Sequence, residues 1–206
     1  MGDGSRSGRV VTVRHPGKIG AGHTPEAVFY PDFLCHYYEA SQGPFLNLSH
    51  VPLAEAESVL DQIRQAGAGF ASRRSLDYLR IRRELEDKVR RLFVEKGGKP
   101  RRERPHYMIL GSCPWVKDWY RDGRELRVPL ARFSPEIVSF TYGDTFPAMR
   151  VADGRLYRGQ VYVLEELPQI VRLYGLPQEW NRDGAHGPER YIEAQVWDDE
   201  PIREFL

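Results

Sequence analysis

A chain of 206 residues with a formal net charge of +1, 41% hydrophobic and 12% aromatic side chains has enough apolar surface to bury a core of its own. Its 29% of charged residues are nearly balanced in sign, which excludes a chain held open by its own charge. Cys35 and Cys113 lack CxxC spacing and the N-terminus does not read as a signal peptide, so a secreted disulfide scaffold is excluded and a cytoplasmic setting is expected. No apolar run approaches the roughly 20 residues of a membrane-spanning helix, so no membrane partner is expected.

Met1 to Gly8 is Gly, Ser and charge with nothing to bury and reads as a disordered tail ahead of a single domain over 9–206. Arg9 to Arg14 (RVVTVR) predicts a strand, followed by a loop from His15 to Pro25. Its GKIGAG lacks the GK[ST] that a phosphate loop needs for its lysine and its Mg²⁺ hydroxyl. Phe33 to Tyr38 (FLCHYY) predicts a strand with Leu34, His36 and Tyr38 on one face and Phe33, Cys35 and Tyr37 on the other. Pro52 to Ala66 predicts an amphipathic helix with Leu53, Ala56, Leu60 and Ile63 inward and Gly67 as its stop. A second helix is expected from an N-cap at Ser75 to about Glu95, with Tyr78, Ile81, Leu85, Val89 and Leu92 as its buried stripe.

The second half is rich in strand signals: His106 to Leu110, Leu126 to Leu130, Ile137 to Tyr142, Gln160 to Val163 and Arg190 to Trp197. Pro129 marks its strand as an edge. A helix is expected from Leu164 to Tyr174 with Gly175 as its cap. Helices early and clustered strands late predict an α+β fold with a mainly antiparallel C-terminal half rather than alternating βαβ units.

Charge is unevenly spread. Arg73 to Arg104 holds 13 Lys and Arg against 6 Asp and Glu, whereas Glu189 to Glu204 holds 6 acids against 2 bases. The basic stretch is either a solvated face or a surface for a nucleic acid or an acidic partner.

Two segments carry candidate chemistry. Alternation in Arg190 to Trp197 puts Ile192, Ala194 and Val196 on a core face and Tyr191, Glu193, Gln195 and Trp197 on the other. A glutamate among aromatics is pushed toward its neutral form and suits acid–base work or stabilisation of a developing cation, unless an arginine on a neighbouring strand pairs with it. In Phe140 to Arg150 (FTYGDTFPAMR), Tyr142, Asp144 and Thr145 gather at a strand tip. Asp144 and Thr145 there could contact a ribose or a metal, or Asp144 could simply cap a turn. Cys113 has no base near it in sequence and reads as packing; the histidines show no metal-site spacing, and no metal is expected.

GPFLNLSHVPLAEAE, FASRRSLDYLRIRRELE, HYMILGSCPW, VSFTYGDTFPAM and ERYIEAQVWDDEPI together resemble an uncharacterised bacterial protein family. More faintly, the order of a His-bearing strand (Leu34-Cys35-His36-Tyr37), the helix Pro52 to Ala66 and a final strand carrying Glu193 resembles ADP-ribosyltransferases of the nucleic-acid-directed toxin type. That resemblance implies NAD as substrate and a nucleic acid or protein as acceptor. His36 would then hold the NAD ribose, Tyr37 or Tyr142 would stack on nicotinamide, Arg80 would meet the pyrophosphate, and Glu193 would stabilise the oxocarbenium-like transition state. Asp144 and Thr145 would join the ribose contacts. Gln195 stands where arginine-directed members carry the catalytic glutamate of a doublet. Two other readings stay open: a non-catalytic nucleic-acid or protein-binding domain, and a metal-dependent nuclease with Mg²⁺ on Asp144 and Glu193.

Overall fold

The computed structural model describes residues 9–11, 28–67 and 70–206. The expected tail Met1 to Gly8, the strand beyond Val11 and the GKIGAG loop fall outside the described residues, apart from strand β1 (Arg9–Val11), which pairs antiparallel with β2 (Val28–Tyr30).

The main sheet is built from β3 (Phe33–Glu39), β4 (His106–Leu110), β5 (Gly123–Pro129), β6 (Val138–Tyr142), β7 (Tyr162–Val163) and β8 (Ile192–Val196). Its order is β5-β3-β4-β8-β6-β7 and every pairing is antiparallel, so the α+β expectation holds. β8, last in the chain, lies at the centre, with Glu193 opposite Ile109 on one side and Thr141 on the other. Pro129 ends β5 at the sheet edge, where its missing N–H costs no ladder bond.

Register sorts the side chains onto two faces. Leu34, Met108, Val138, Phe140, Tyr142, Ile192, Ala194 and Val196 form an apolar face, packed against α4 (Leu167–Tyr174) through Leu167, Ile170 and Val171. Tyr107, Ser139, Thr141, Glu193 and Gln195 point the other way. That polar face is also buried: α2 (Tyr78–Glu95) lies across it, with Leu85, Val89 and Phe93 packed against Trp197, and Met149 of α3 (Thr145–Arg150) joining them. α1 (Leu53–Ala66) buttresses α2 through Ala56, Leu60 and Leu79. α5 (Pro177–Trp180) follows α4. Trp197 and Gln195 are fully enclosed, so the second face of the last strand is covered as the first is: a central strand with a helix layer on each side has no solvent face.

The predicted helices form with small changes of phase. α1 ends at Gly67, whose φ of 64° lets its N–H close on the Arg64 carbonyl. α2 begins at Tyr78 rather than near Ser75; Ser75 spends its hydroxyl on the Asp77 carboxylate. Of the expected stripe, Leu85 and Val89 are buried and Tyr78, Ile81 and Leu92 pack half-buried against the core, while Leu79, Glu86 and Phe93 complete the inward face. α3 and α5 were not anticipated from the sequence pattern; both are short and carry Pro in the first turn, where no N–H is needed.

The charged residue under α2 is the tie between layers. Glu86 is 1% exposed and its Oε1 accepts from Ser49 Oγ at 2.8 Å, Arg82 Nε at 3.0 Å and Tyr107 Oη at 3.0 Å; Arg104 lies 3.6 Å from Oε2. One carboxylate thus joins α2 to β4 and to the two loops that flank it. Removing it leaves Arg82 and Tyr107 enclosed without their acceptor. Glu86→Ala is therefore expected to destabilise the fold by about 3 kcal/mol in urea unfolding, against about 1 kcal/mol or less for Glu84→Ala on the exposed side of the same helix.

Candidate active site

β6 runs out at Tyr142, and Gly143 takes a φ of 100° that a side chain rarely adopts; a Cβ there would also come within 3.3 Å of Glu189 Cγ. The turn sets Asp144 as the N-cap of α3, its Oδ1 accepting from Phe146 N at 2.8 Å. It also brings Thr145 over β8. The Thr145 N–H and hydroxyl both donate to Glu193 Oε2, at 3.0 and 2.5 Å. Gln195 Nε2 donates to Thr141 Oγ1 and Thr145 Oγ1, and its Oε1 accepts from Ser139, whose hydroxyl accepts in turn from Trp197 Nε1. Gln195 is thus a brace for the strand tip, enclosed and fully bonded.

Glu193 pairs with no arginine within salt-bridge range among the described residues. It keeps 7% of its surface accessible, and Oε1 makes no hydrogen bond among the described residues, while Oε2 accepts twice from Thr145 and, at 3.5 Å, from Gln195 Nε2. Burial, and next the negative charge of Asp144, raise its pKa to about 8, against the lowering effect of the two Thr145 bonds and the more distant Arg82. Asp144 Oδ2 accepts from Tyr191 Oη at 3.1 Å. Burial, with the carboxylates of Asp144 and Glu193 beside it, holds the Tyr191 phenol well above the usual tyrosine range. The site is a pair of carboxyl groups with different supports, the deeper one pushed toward its neutral form.

Aromatic rings and one unpaired cation surround this pair. Tyr78 stacks parallel on Phe146 at 4.9 Å, and the Arg74 guanidinium lies 4.3 Å over the Tyr78 ring. Arg74 faces no carboxylate within 4 Å among the described residues, and its Nε is buried without a partner. Tyr120, 38% exposed, lies within the fields of Arg74, Arg82, Tyr78 and Glu193. None of Arg74, Tyr120 or Tyr191 stood out in the sequence as a site residue. Arg74 was one cation among many, and its lack of a counter-ion is a property of the folded chain only.

The expected NAD-binding group is divided by the sheet. Glu193, Gln195, Asp144 and Thr145 come together; His36 and Tyr142 project from the opposite, apolar face and cannot share a cleft with Glu193. His36 Nδ1 donates to the Tyr107 carbonyl at 2.9 Å, and its Nε2 accepts from Phe45 N at 2.9 Å, with the Phe45 ring stacked 4.1 Å away. Neither nitrogen is left for a ribose. Tyr142 is fully buried, donates to the Tyr174 carbonyl and receives Trp180 Nε1. Tyr37 is on the same face as Glu193 but is packed beside Cys35, Cys113 and Tyr191, its hydroxyl accepting from Cys113 N at 2.6 Å. Arg80 stands exposed at the surface, paired with Glu84 at 2.6 Å, and does not reach the site. Cys113 is a packing residue as expected: burial, followed by Cys35, pushes its thiol up to about 12.

The basic stretch is largely consumed internally. Arg82 and Arg104 reach Glu86, Lys96 reaches Glu166, Lys99 reaches Glu136, and Arg101 and Arg102 reach Asp198 and Asp199. Two of these pairs, Arg101–Asp198 and Arg102–Asp199, join the basic segment to the acidic one. Among the described residues no group of three His, Cys, Asp or Glu is arranged to hold a metal ion, and no helix is long and apolar enough to cross a membrane. Three of the four oxygens of Asp144 and Glu193 already accept from N–H or O–H donors, which compete with a cation.

Compared with known proteins, the chain matches no family model, no curated protein and no solved structure.

The histidines give a test of the apolar side. Burial pushes His36 and His106 each down to about 4; the His106 Nε2 contact with Asp199 at 2.8 Å only partly offsets it. Both rings are neutral in the fold and take up protons more readily when unfolded. Their contribution is complete above about pH 6.5 and is lost as pH falls from there through about 4, roughly 3 kcal/mol for each ring. The melting temperature is expected to drop over that window, and His36→Gln is expected to flatten the drop.

Proposed function

We propose that the protein is an NAD-cleaving ADP-ribosyltransferase whose reacting carboxylate is Glu193, with a nucleic acid or protein as acceptor. The observation that carries this reading is the state of Glu193: a buried carboxyl on the central strand, pinned by one oxygen to Thr145, free at the other, and raised to about 8. Such a group is costly to ionise alone and inexpensive to ionise beside a cation. A positively charged nicotinamide ring and the positive charge that grows on the ribose as the C–N bond breaks are that cation. Binding of NAD releases the Glu193 proton. The carboxylate then stabilises the oxocarbenium-like ribose, and as the acceptor's O–H or N–H attacks C1 the carboxylate takes its proton while nicotinamide departs neutral.

Other residues fit supporting roles. Thr145 fixes Oε2 and so sets where Oε1 lies. Asp144 adds negative charge beside the developing cation and holds Tyr191. Arg74, in place of Arg80, is the cation available for the pyrophosphate, with Tyr78 and Tyr120 as ring surfaces near it. The resemblance in element order to ADP-ribosyltransferases supports the same class, with His36 and Tyr142 removed from the site.

Two measurements test this. Glu193→Gln is expected to lower NAD cleavage by at least 10³-fold while leaving the circular dichroism spectrum and melting profile close to those of the parent, because the amide keeps the Thr145 contacts. In the parent, kcat/KM is expected to rise with pH and level off above about 8, since the free enzyme must lose the Glu193 proton. A profile that falls above pH 8 would assign Glu193 as a general acid on a neutral glycosidic bond instead. No NAD turnover and no thermal shift with NAD would remove the reading altogether.

A further inference from the structure

A hydroxyl can donate or accept, so the directions in a chain of hydroxyls follow only where the chain meets a group with a single option. Such a chain lies beside Glu193. It starts at Trp197 Nε1, an indole N–H that can only donate, 2.9 Å from Ser139 Oγ. The Ser139 oxygen therefore accepts from Trp197, and its own proton goes to Gln195 Oε1 at 3.0 Å. With the carbonyl end of the amide on Ser139, the NH2 end of Gln195 faces Thr141 Oγ1 at 3.0 Å and Thr145 Oγ1 at 3.2 Å. Both threonine oxygens accept from it, so both hydroxyl protons point onward: that of Thr141 to the Gly143 carbonyl at 2.9 Å, that of Thr145 to Glu193 Oε2 at 2.5 Å. The far end agrees, because the Gly143 carbonyl can only accept. Trp197, Ser139, Thr141 and Gln195 are fully buried and Thr145 nearly so, and none of their polar side-chain atoms is left without a partner. Glu193 Oε2 also receives the Thr145 N–H at 3.0 Å and Gln195 Nε2 at 3.5 Å. Oε1 makes no hydrogen bond among the described residues and is not one of the buried atoms lacking a partner, so it reaches the accessible part of the residue.

We infer that Gln195 is a positioning residue for Glu193: acting through Thr145, it turns a hydroxyl proton onto Oε2 and so confines the exchangeable proton of the carboxyl group to Oε1. This rests on Glu193 as the reacting group proposed above. An oxygen met by three donors has no acceptor toward which a proton of its own could point, whereas Oε1 has no donor against it. The proton then leaves from Oε1 to solvent water when a cation binds, and Oε1 is the oxygen that takes the proton of the acceptor's O–H or N–H. Oε2 remains a hydrogen-bond acceptor throughout. The same directions explain an amide at position 195. A carboxylate in its place could accept from Ser139, but its second oxygen would bring no proton to the threonines. Thr145 would have to turn its hydroxyl to that oxygen and away from Glu193.

The test is infrared difference spectroscopy of the full chain between about pH 6 and about pH 10, either side of the Glu193 titration, with Glu193→Gln as the blank that assigns its bands. A carboxyl C=O that accepts hydrogen bonds absorbs at lower frequency than a free one, so the band of protonated Glu193 reports which oxygen holds the proton. The parent is expected to show the lowered band. Thr145→Val keeps the N–H but removes the hydroxyl; it is expected to raise the band and to move the titration midpoint up by about one pH unit, since a donor to the charged form is lost. Thr145→Ser is expected to restore both. Gln195→Met, uncharged and of similar size, is expected to shift band and midpoint in the same direction as Thr145→Val, and to add little to them in the Thr145→Val background. Ser139→Ala, which lets the amide turn over, gives a second route to the same shift should Gln195→Met fail to fold. Asp144, Arg82, Tyr107, Tyr120 and Tyr191 bear on Glu193 electrostatically and are present in every variant. In NAD cleavage the pH at which kcat/KM levels off is expected to rise by the same amount, about one unit, in Thr145→Val and to return in Thr145→Ser. The inference is overturned if the parent shows the band of a free C=O, if Thr145→Val leaves band and midpoint unchanged, or if the folded Gln195 or Ser139 variant matches the parent. The infrared measurement needs no NAD: a lowered, Thr145-dependent band in a parent that cleaves no NAD removes the proposed reaction alone, and a free band with NAD cleavage intact removes this inference alone.

Discussion

The seat of α2 on the sheet governs the rest of the molecule, and that seat is ionic. Glu86 is turned inward on a helix whose other inward residues are Leu, Val and Phe, and it gathers Ser49, Arg82, Tyr107 and Arg104 around it. Burying a carboxylate is unfavourable unless several donors meet it, and here they come from four parts of the chain. The arrangement fixes the height and rotation of α2 with a specificity that apolar packing alone would not supply. It also encloses the polar face of the sheet, which makes the environment of Glu193 dry.

Dryness at that face explains why similar side chains behave differently within a few ångströms. Asp144 stands at a helix N-terminus with one oxygen on a backbone N–H and the other on Tyr191. Glu193 is deeper, is held through one oxygen by Thr145 and at longer range by Gln195, and feels the charge of Asp144. Burial and the neighbouring charge push Glu193 toward its neutral form, the usual basis for giving a carboxyl group acid–base work. Gln195 completes the set without a charge: an amide at that position serves both Thr141 and Thr145, whereas a second buried glutamate would add a like charge beside Glu193.

The fold class and the alternation of the last strand were legible because they follow from local periodicity. Ile192, Ala194 and Val196 do face the apolar core, and Tyr191, Glu193 and Gln195 do face the other way. Whether that second side is open or closed depends on α2, more than 100 positions earlier, and no local pattern records it. His36 shows the same limit. Its phase with Leu34 and Tyr38 was readable, yet its relation to Glu193 depends on the registers of β3 with β4 and β4 with β8. Arg74 was hidden for a different reason: in a segment dense with arginines, only the folded contacts show that this guanidinium lies over Tyr78 with its Nε buried and no acceptor beside it. The short helix α3 was concealed by Pro147, which reads as a breaker although it is harmless in a first turn.

The position of β8 has a consequence for how the molecule comes into being. The sheet before β8 is two separate pieces, β5-β3-β4 and β6-β7, with no hydrogen bond between them. Residues 192–196 are the insert that joins them, and they emerge from the ribosome after every other strand. During synthesis the two pieces must wait with two unpaired edges and an uncovered apolar face, so assembly is governed by long-range closure and is expected to be slow and dependent on protection of those edges until the joining strand arrives.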